Sequence, residues 1–102
     1  MLRTLAPKEF AKVKVKVQWV NAEEYTCLIE LWRRESNWNP LAHNKSSGAF
    51  GIAQFMPPTW GNYKYQKTED PYIQIQAGLR YITKRYGSPC KALAFHDRNN
   101  WY

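Results

Sequence analysis

Two stretches of the chain repeat their apolar residues with a helical period. Tyr25, Leu28, Ile29 and Trp32 recur at i, i+3, i+4 and i+7, the spacing that lays one apolar stripe along a helix. Asn21 precedes them as a capping residue, and Glu23 and Glu24 fall in the first turn, where the helix dipole favours negative charge. This predicts a helix over residues 22–36. A second stripe of Ile75, Leu79, Ile82 and Tyr86 predicts a helix that starts at Asp70, with Pro71 in its first turn and Gly87 as its C-terminal stop. Residues 89–97 predict a short last helix with Cys90, Leu93 and Ala94 facing inward.

The remaining segments are less regular. Residues 37–50 are rich in Asn, Ser, Gly and Pro and predict loop and turn. Residues 51–56 predict a short helix ended by Pro57 and Pro58, because a proline restricts the residue before it. The polar and aromatic run from Thr59 to Lys67 predicts loop, and residues 1–6 a lead-in. Residues 7–20 point two ways. Pro7 suits the first turn of a helix, yet Val13, Val15, Val17 and Trp19 alternate with Lys12, Lys14, Lys16 and Gln18, the period of a half-buried strand. The pattern alone predicts a strand there. Two or three helices and no second strand predict a mainly α fold in one domain, residues 7–102.

Composition narrows the class. The chain has 102 residues, 44% apolar and 23% charged, which excludes a disordered tail, a collagen-like rod and a coiled coil. No stretch approaches the ~20 apolar residues that span a bilayer. No long apolar run follows a positive start, which predicts no signal peptide. Aromatic residues reach 16%, enough for a dense small core or for a surface that stacks on flat ligands such as sugar rings. The net charge of +7 suits a polyanionic partner: nucleic acid, an anionic membrane, or a cell wall. Residues 1–20 hold a net +4 of it, where the lysine run also reads as a solvated face. No nucleic-acid-binding motif is present, so nucleic acid is not an expected partner. Cys27 and Cys90 fit no zinc spacing, and His43 and His96 are not a ligand pair, so neither a metal nor an organic cofactor is expected. The cysteines form a disulfide if the protein works outside the cytosol, or are two buried thiols.

Glu35 is the residue that periodicity singles out. It lies i+7 from Leu28 and i+3 from Trp32, on the apolar face of its helix. A carboxylate there either curls out to solvent or is desolvated, and burial disfavours the ionised form. A carboxylic acid that keeps its proton near neutrality is what general acid catalysis needs. No partner is evident. Glu30 is on the opposite face, Asp70 serves as a cap, Glu69 is its solvated neighbour, and Asp97 reads as a surface ion pair. Common retaining and inverting glycosidases use two carboxyl groups, so a lone acid points to a mechanism without an enzyme nucleophile.

The stretch ESNWNPLAHNKSSGAFGIAQFMPPTW, residues 35–60, resembles the signature of the lytic transglycosylase (SLT-type), lysozyme-like superfamily: Glu-Ser, a loop, Ser-Gly-Ala, Gly-x-x-Gln, then Met-Pro and Thr. The second half, with Gln-Ile, Gly-Leu-x-Tyr-Ile, Arg-Tyr-Gly-x-Pro-Cys and a closing Trp-Tyr, resembles small lysozyme-like domains of bacteriophage tail and actinobacterial cell-wall proteins. The resemblance covers residues 22–102 well and 7–20 loosely, and it implies that residues 7–20 are helical. It implies a small lysozyme-like domain with helices around a sugar-binding groove and little or no β. The activity implied is muramidase cleavage of the MurNAc-GlcNAc β-1,4 bond in peptidoglycan glycan strands. Glu35 is then the catalytic acid/base. Ser47 and Gln54 line the site, Gly48 and Gly51 make tight turns beside the sugar, and Tyr81 faces the carboxyl group. Trp38 and Phe50 are expected to flank the groove. A Cys27–Cys90 disulfide, a monomer, and a location outside the cell, at the wall or in a phage virion, follow from the same resemblance.

The chain departs from that pattern at Leu93, where relatives commonly have Trp, and at His96, where they have an aromatic residue or Asn. His96 either binds sugar or fills the groove wall. An altered subsite keeps open a second class, a glycan-binding module without activity. The intact Glu35 opposes it.

Overall fold

The computed structural model describes residues 5–102. Among these, five helices follow in order: α1 (Pro7–Gln18), α2 (Glu23–Ser36), α3 (Pro57–Asn62), α4 (Pro71–Arg85) and α5 (Pro89–Asn99). Extended pairing among the described residues is limited to the isolated antiparallel bridges His43–Phe50 and Phe50–Phe55. The fold is mainly α, as expected. Of the expected lead-in, residues 1–4 lie outside the described residues. Leu5 accepts a 2.6 Å hydrogen bond from the Tyr72 hydroxyl, and Ala6 is the N-cap of α1.

Proline opens α1, α3, α4 and α5, at positions where its missing N–H would have had no helical partner. Asp70 caps α4 by accepting from the amides of Tyr72 and Ile73, and Ser88 caps α5 by accepting from Lys91. At the end of α4, the Tyr86 and Gly87 amides both reach the Ile82 carbonyl, with Gly87 at φ +95°. That left-handed turn is one glycine adopts without strain. Leu28, Leu31 and Trp32 of α2, Ile75, Ala77, Leu79 and Ile82 of α4 and Ala92 of α5 share one buried core, in which α2 lies chiefly against α5. Gly78 leaves room on α4 for the Trp32 ring, since a Cβ there would lie 2.5 Å from it. Cys27 of α2 and Cys90 of α5 form a disulfide across 63 residues, and the Cys90 amide donates to Glu24.

Residues 7–18 are helix, as the resemblance implies, against the strand that their alternating pattern predicts alone. Phe10, Ala11 and Val15 turn one face onto α2 and α4, and this tertiary burial outweighs the alternating pattern at the cost of leaving Val17 exposed. The expected helix over 51–56 is a turn instead. Gly51 and Gln54 have positive φ, and Phe50 and Phe55 exchange two backbone hydrogen bonds. Pro57 and Pro58 therefore begin a helix where one is expected to end, and α3 occupies the first part of the expected 59–67 loop. On α5, Ala92 is buried where Ala94 was expected, and Ala94 is exposed.

Candidate active site

Glu35 sits on the last turn of α2 with 19% of its side chain exposed. Asn37 and Trp38 then both take left-handed backbone conformations, which reverse the chain at once. The reversal turns the Trp38 ring inward. It packs edge-on to Trp32 at 5.2 Å and donates its indole N–H to the Ile29 carbonyl.

The loop that follows is fastened at several points. The Ser36 hydroxyl donates to the Ile52 carbonyl at 2.6 Å. Gln74, buried on α4, accepts from the Ile52 amide and donates to the Pro40 and Thr68 carbonyls. Gly51 presses on that amide, and a Cβ at Gly51 would meet Gln74 Cδ at 2.7 Å. The Asn44 side chain accepts from the Ser46 and Ser47 amides, and Gly48 at φ +80° completes this turn. α4 thus holds the loop against the end of α2.

These elements enclose a cleft with Glu35 at its centre. A recess of about 50 Å³ lies between Glu35, Gln54, Tyr81 and Tyr102. On one side it opens into an arm of about 450 Å³ bordered by Asn44, Ser47, Gln54 and Asn100. On the other it opens into an arm of about 670 Å³ bordered by Tyr63, Arg80, Tyr81 and Arg85. Met56 and Trp101, both well exposed, form rims shared by the two arms. The indole of Trp101 offers a flat apolar face of the kind on which sugar rings stack.

Among the described residues, Glu35 is the one carboxylate that lines this cleft. Burial pushes its carboxyl group above the ordinary range, while the neighbouring His96 pulls it down. His96 Nε2 lies 3.2 Å from Glu35 Oε2, and its Nδ1 lies 3.4 Å from an Arg34 nitrogen. Arginine only donates, so Nδ1 accepts and the ring proton is assigned to Nε2, facing Glu35. One carboxyl oxygen is thereby held by His96, leaving Oε1 for chemistry in the recess. The other acidic groups of this region are committed elsewhere. Glu30 is held near pKa 2 by hydrogen bonds from Arg33 and Arg34, and Asp97 pairs with Arg34.

The polar groups around the acid have defined free valences. Gln54 spends both amide hydrogens on the Ala42 and Gly51 carbonyls, so its side-chain oxygen remains to accept from a ligand. Ser47 Oγ accepts from the Ala49 amide and keeps its own proton to donate. The hydroxyl of Tyr102 accepts from the Trp32 indole and donates to the Ala53 carbonyl, which fixes the floor of the recess. Burial holds the phenols of Tyr81 and Tyr102 above their ordinary value, so both stay protonated. The site thus sets hydrogen-bonding groups with free valences beside one carboxyl group whose hold on its proton burial strengthens.

The sequence matches the family described as the Transglycosylase SLT domain over residues 14–96, from α1 to α5. The chain belongs to the SLT transglycosylase family. Its members are lytic transglycosylases that cleave cell-wall peptidoglycan. Among curated proteins and solved structures, nothing matches this SLT domain.

The SLT domain brings Glu35, Ser47, Gln54 and Tyr81 together on the cleft wall, and Gly48 makes the turn next to Ser47. His96 contacts the carboxyl group itself, a position that neither sequence-level alternative described. Trp38 and Phe50 are not on the cleft. Trp38 is core, and Phe50 packs against His43 beneath the ammonium of Lys67. Both flank Glu35 in sequence, but the left-handed pair at Asn37 and Trp38 and the Phe50–Phe55 bridge direct them away from the cleft. Met56, Asn100, Trp101 and Tyr102 border the site without having been singled out by sequence. The signal was present for three of them: Met56 in the Met-Pro of the signature, and Trp101 and Tyr102 in the closing Trp-Tyr of the resemblance.

Proposed function

We propose that this SLT domain cleaves the β-1,4 bond between MurNAc and GlcNAc, with Glu35 as its single acid and base. The observation that carries this reading is the isolation of Glu35: a partly desolvated carboxyl group with raised affinity for its proton, and no second carboxylate along the described cleft. Glu35 protonates the glycosidic oxygen as the bond to the MurNAc anomeric carbon breaks. The same group, now a carboxylate, takes the proton of the substrate's C6 hydroxyl as that oxygen closes onto the anomeric carbon. Atoms balance without an enzyme nucleophile or a water, and the product is a 1,6-anhydro sugar. The His96 Nε2–H donates to the carboxylate formed between the two transfers and holds the carboxyl group in register.

The two arms of the cleft would hold sugars on either side of the bond. Gln54 and Ser47 would bind hydroxyl and N-acetyl groups, and Tyr81 would border the transferred sugar. The domain is proposed to act as a monomer outside the cell, at the wall or carried by a virion. Mass spectrometry of digested peptidoglycan tests the reaction type. Anhydro ends, one water lighter than reducing ends, are expected. Reducing ends alone would mean that water replaces the C6 hydroxyl. Binding without any product would mean a glycan-binding module.

A further inference from the structure

The two arms beside Glu35 differ in charge. The arm with Asn44, Ser47, Gln54 and Asn100 presents amides and a hydroxyl and no cation. The opposite arm is lined by Lys64, Arg80, Lys84 and Arg85, with no carboxylate on its surface. None of these four cations pairs with an acid among the described residues. Arg80 and Lys84 lie one turn apart on α4, and both are exposed. Like charges at that spacing repel each other, which costs stability unless an anion is present. Arg85 is held over the rings of Tyr81, Tyr86 and Trp101 at 5.5–5.8 Å, so its guanidinium is placed rather than free to swing. A neutral glycan backbone needs none of this.

Resting on the reading of the cleft as a peptidoglycan site, we infer that the Arg80–Lys84 arm binds an anionic substituent of the glycan strand. The cleft is therefore polarised: neutral sugar contacts lie on the Gln54 side of Glu35 and oxyanion contacts on the Arg80 side. The oxyanion is a carboxylate of a peptide stem or a phosphodiester attached to the strand. Both are recognised by the same chemistry, an ammonium and a guanidinium fork facing delocalised negative oxygen. Such a contact favours strands that still carry their substituents over bare glycan, and it fixes the direction in which the strand lies.

Binding to three proteins tests this: the wild-type chain, Arg80→Gln/Lys84→Gln, and Lys12→Gln/Lys16→Gln. The last pair lies on α1, away from the cleft, and changes net charge equally. The ligands are chitotetraose, soluble glycan fragments with intact peptide stems, the same fragments with carboxyl groups amidated, and wall fragments before and after hydrofluoric acid removes phosphodiesters. The cleft variant is expected to bind substituted fragments about tenfold more weakly than wild type, as loss of two exposed charge contacts implies. The α1 variant is expected to follow wild type. A deficit that vanishes on amidation identifies a carboxylate, and one that vanishes after hydrofluoric acid a phosphodiester. Equal weakening in both variants, or weakening that extends to chitotetraose, overturns the inference, as does no difference. A wild-type chain that binds with this charge preference but yields no product defeats the cleavage reading and leaves the charged arm standing.

Discussion

Replacing Gln74 by Met removes the side chain that ties the active-site loop to α4 while keeping its length and much of its volume. Three hydrogen bonds go: one accepted from Ile52 and two donated to Pro40 and Thr68. Each is worth about 1 kcal/mol net. The two carbonyls belong to residues that are partly exposed and can turn to water, but Ile52 is fully buried and its amide is left without a partner. That adds roughly 1–3 kcal/mol, which the better burial of a thioether in place of an amide partly offsets. The expected loss is about 3 kcal/mol, or roughly 12–24 °C in Tm for a domain of this size. Because the bonds span residues 40–68, the loop carrying Ser47 and Gln54 should loosen as well. Thermal unfolding by circular dichroism measures the first effect, and amide hydrogen exchange at Ile52 the second. A Tm within about 3 °C of wild type would refute the assignment of Gln74 as the loop's anchor.

Removing the disulfide as Cys27→Ser/Cys90→Ser frees a loop of 63 residues in the unfolded chain. The chain-entropy account gives about 4 kcal/mol, so a melt should fall by roughly 15–30 °C, and an unchanged Tm would contradict it. Changing His96→Leu removes a donor that favours the ionised form of Glu35. The Glu35 carboxyl should then move further above its ordinary range and keep its proton to higher pH. The alkaline limb of the pH–rate profile should shift upward, and a downward shift would mean that His96 acts in another way. In Glu35→Gln the desolvated acid becomes a neutral amide. Since the folded state raises the Glu35 pKa, the wild type loses stability as pH rises through that value. The variant's melting advantage should therefore grow toward neutral pH and vanish in acid, and a constant difference across pH would count against the buried acid.

What was legible in the sequence was the part that periodicity controls. The stripes on α2 and α4 named Leu28, Trp32, Ile75, Leu79 and Ile82, and all five are buried. The same periodicity placed Glu35 on the edge of the α2 stripe. Segments decided by tertiary contact were not legible. In α1, Val13, Val15 and Val17 alternate with lysines, and only packing against α2 and α4 selects Val15 for burial and leaves Val17 in water. At Pro57-Pro58 the residue type marks a boundary without saying whether a helix lies before or after it, and here it lies after. Trp38 and Phe50 stand close to the acid in sequence, but left-handed residues and a two-way bridge, which composition does not encode, turn them inward. His96 and Tyr102 reach Glu35 and the recess from the far end of the chain, across 61 and 67 residues, beyond any local pattern.

The central claim is that one carboxyl group performs both proton transfers. Clearing of a cell-wall suspension by wild type and by Glu35→Gln, with melts to show that both are folded, tests it most directly. General acid–base assistance contributes typically ~10²–10⁴-fold for a single transfer, so Glu35→Gln should lose nearly all clearing activity while its melt holds or rises. Clearing at close to the wild-type rate by the folded variant would place the acid elsewhere and contradict the account.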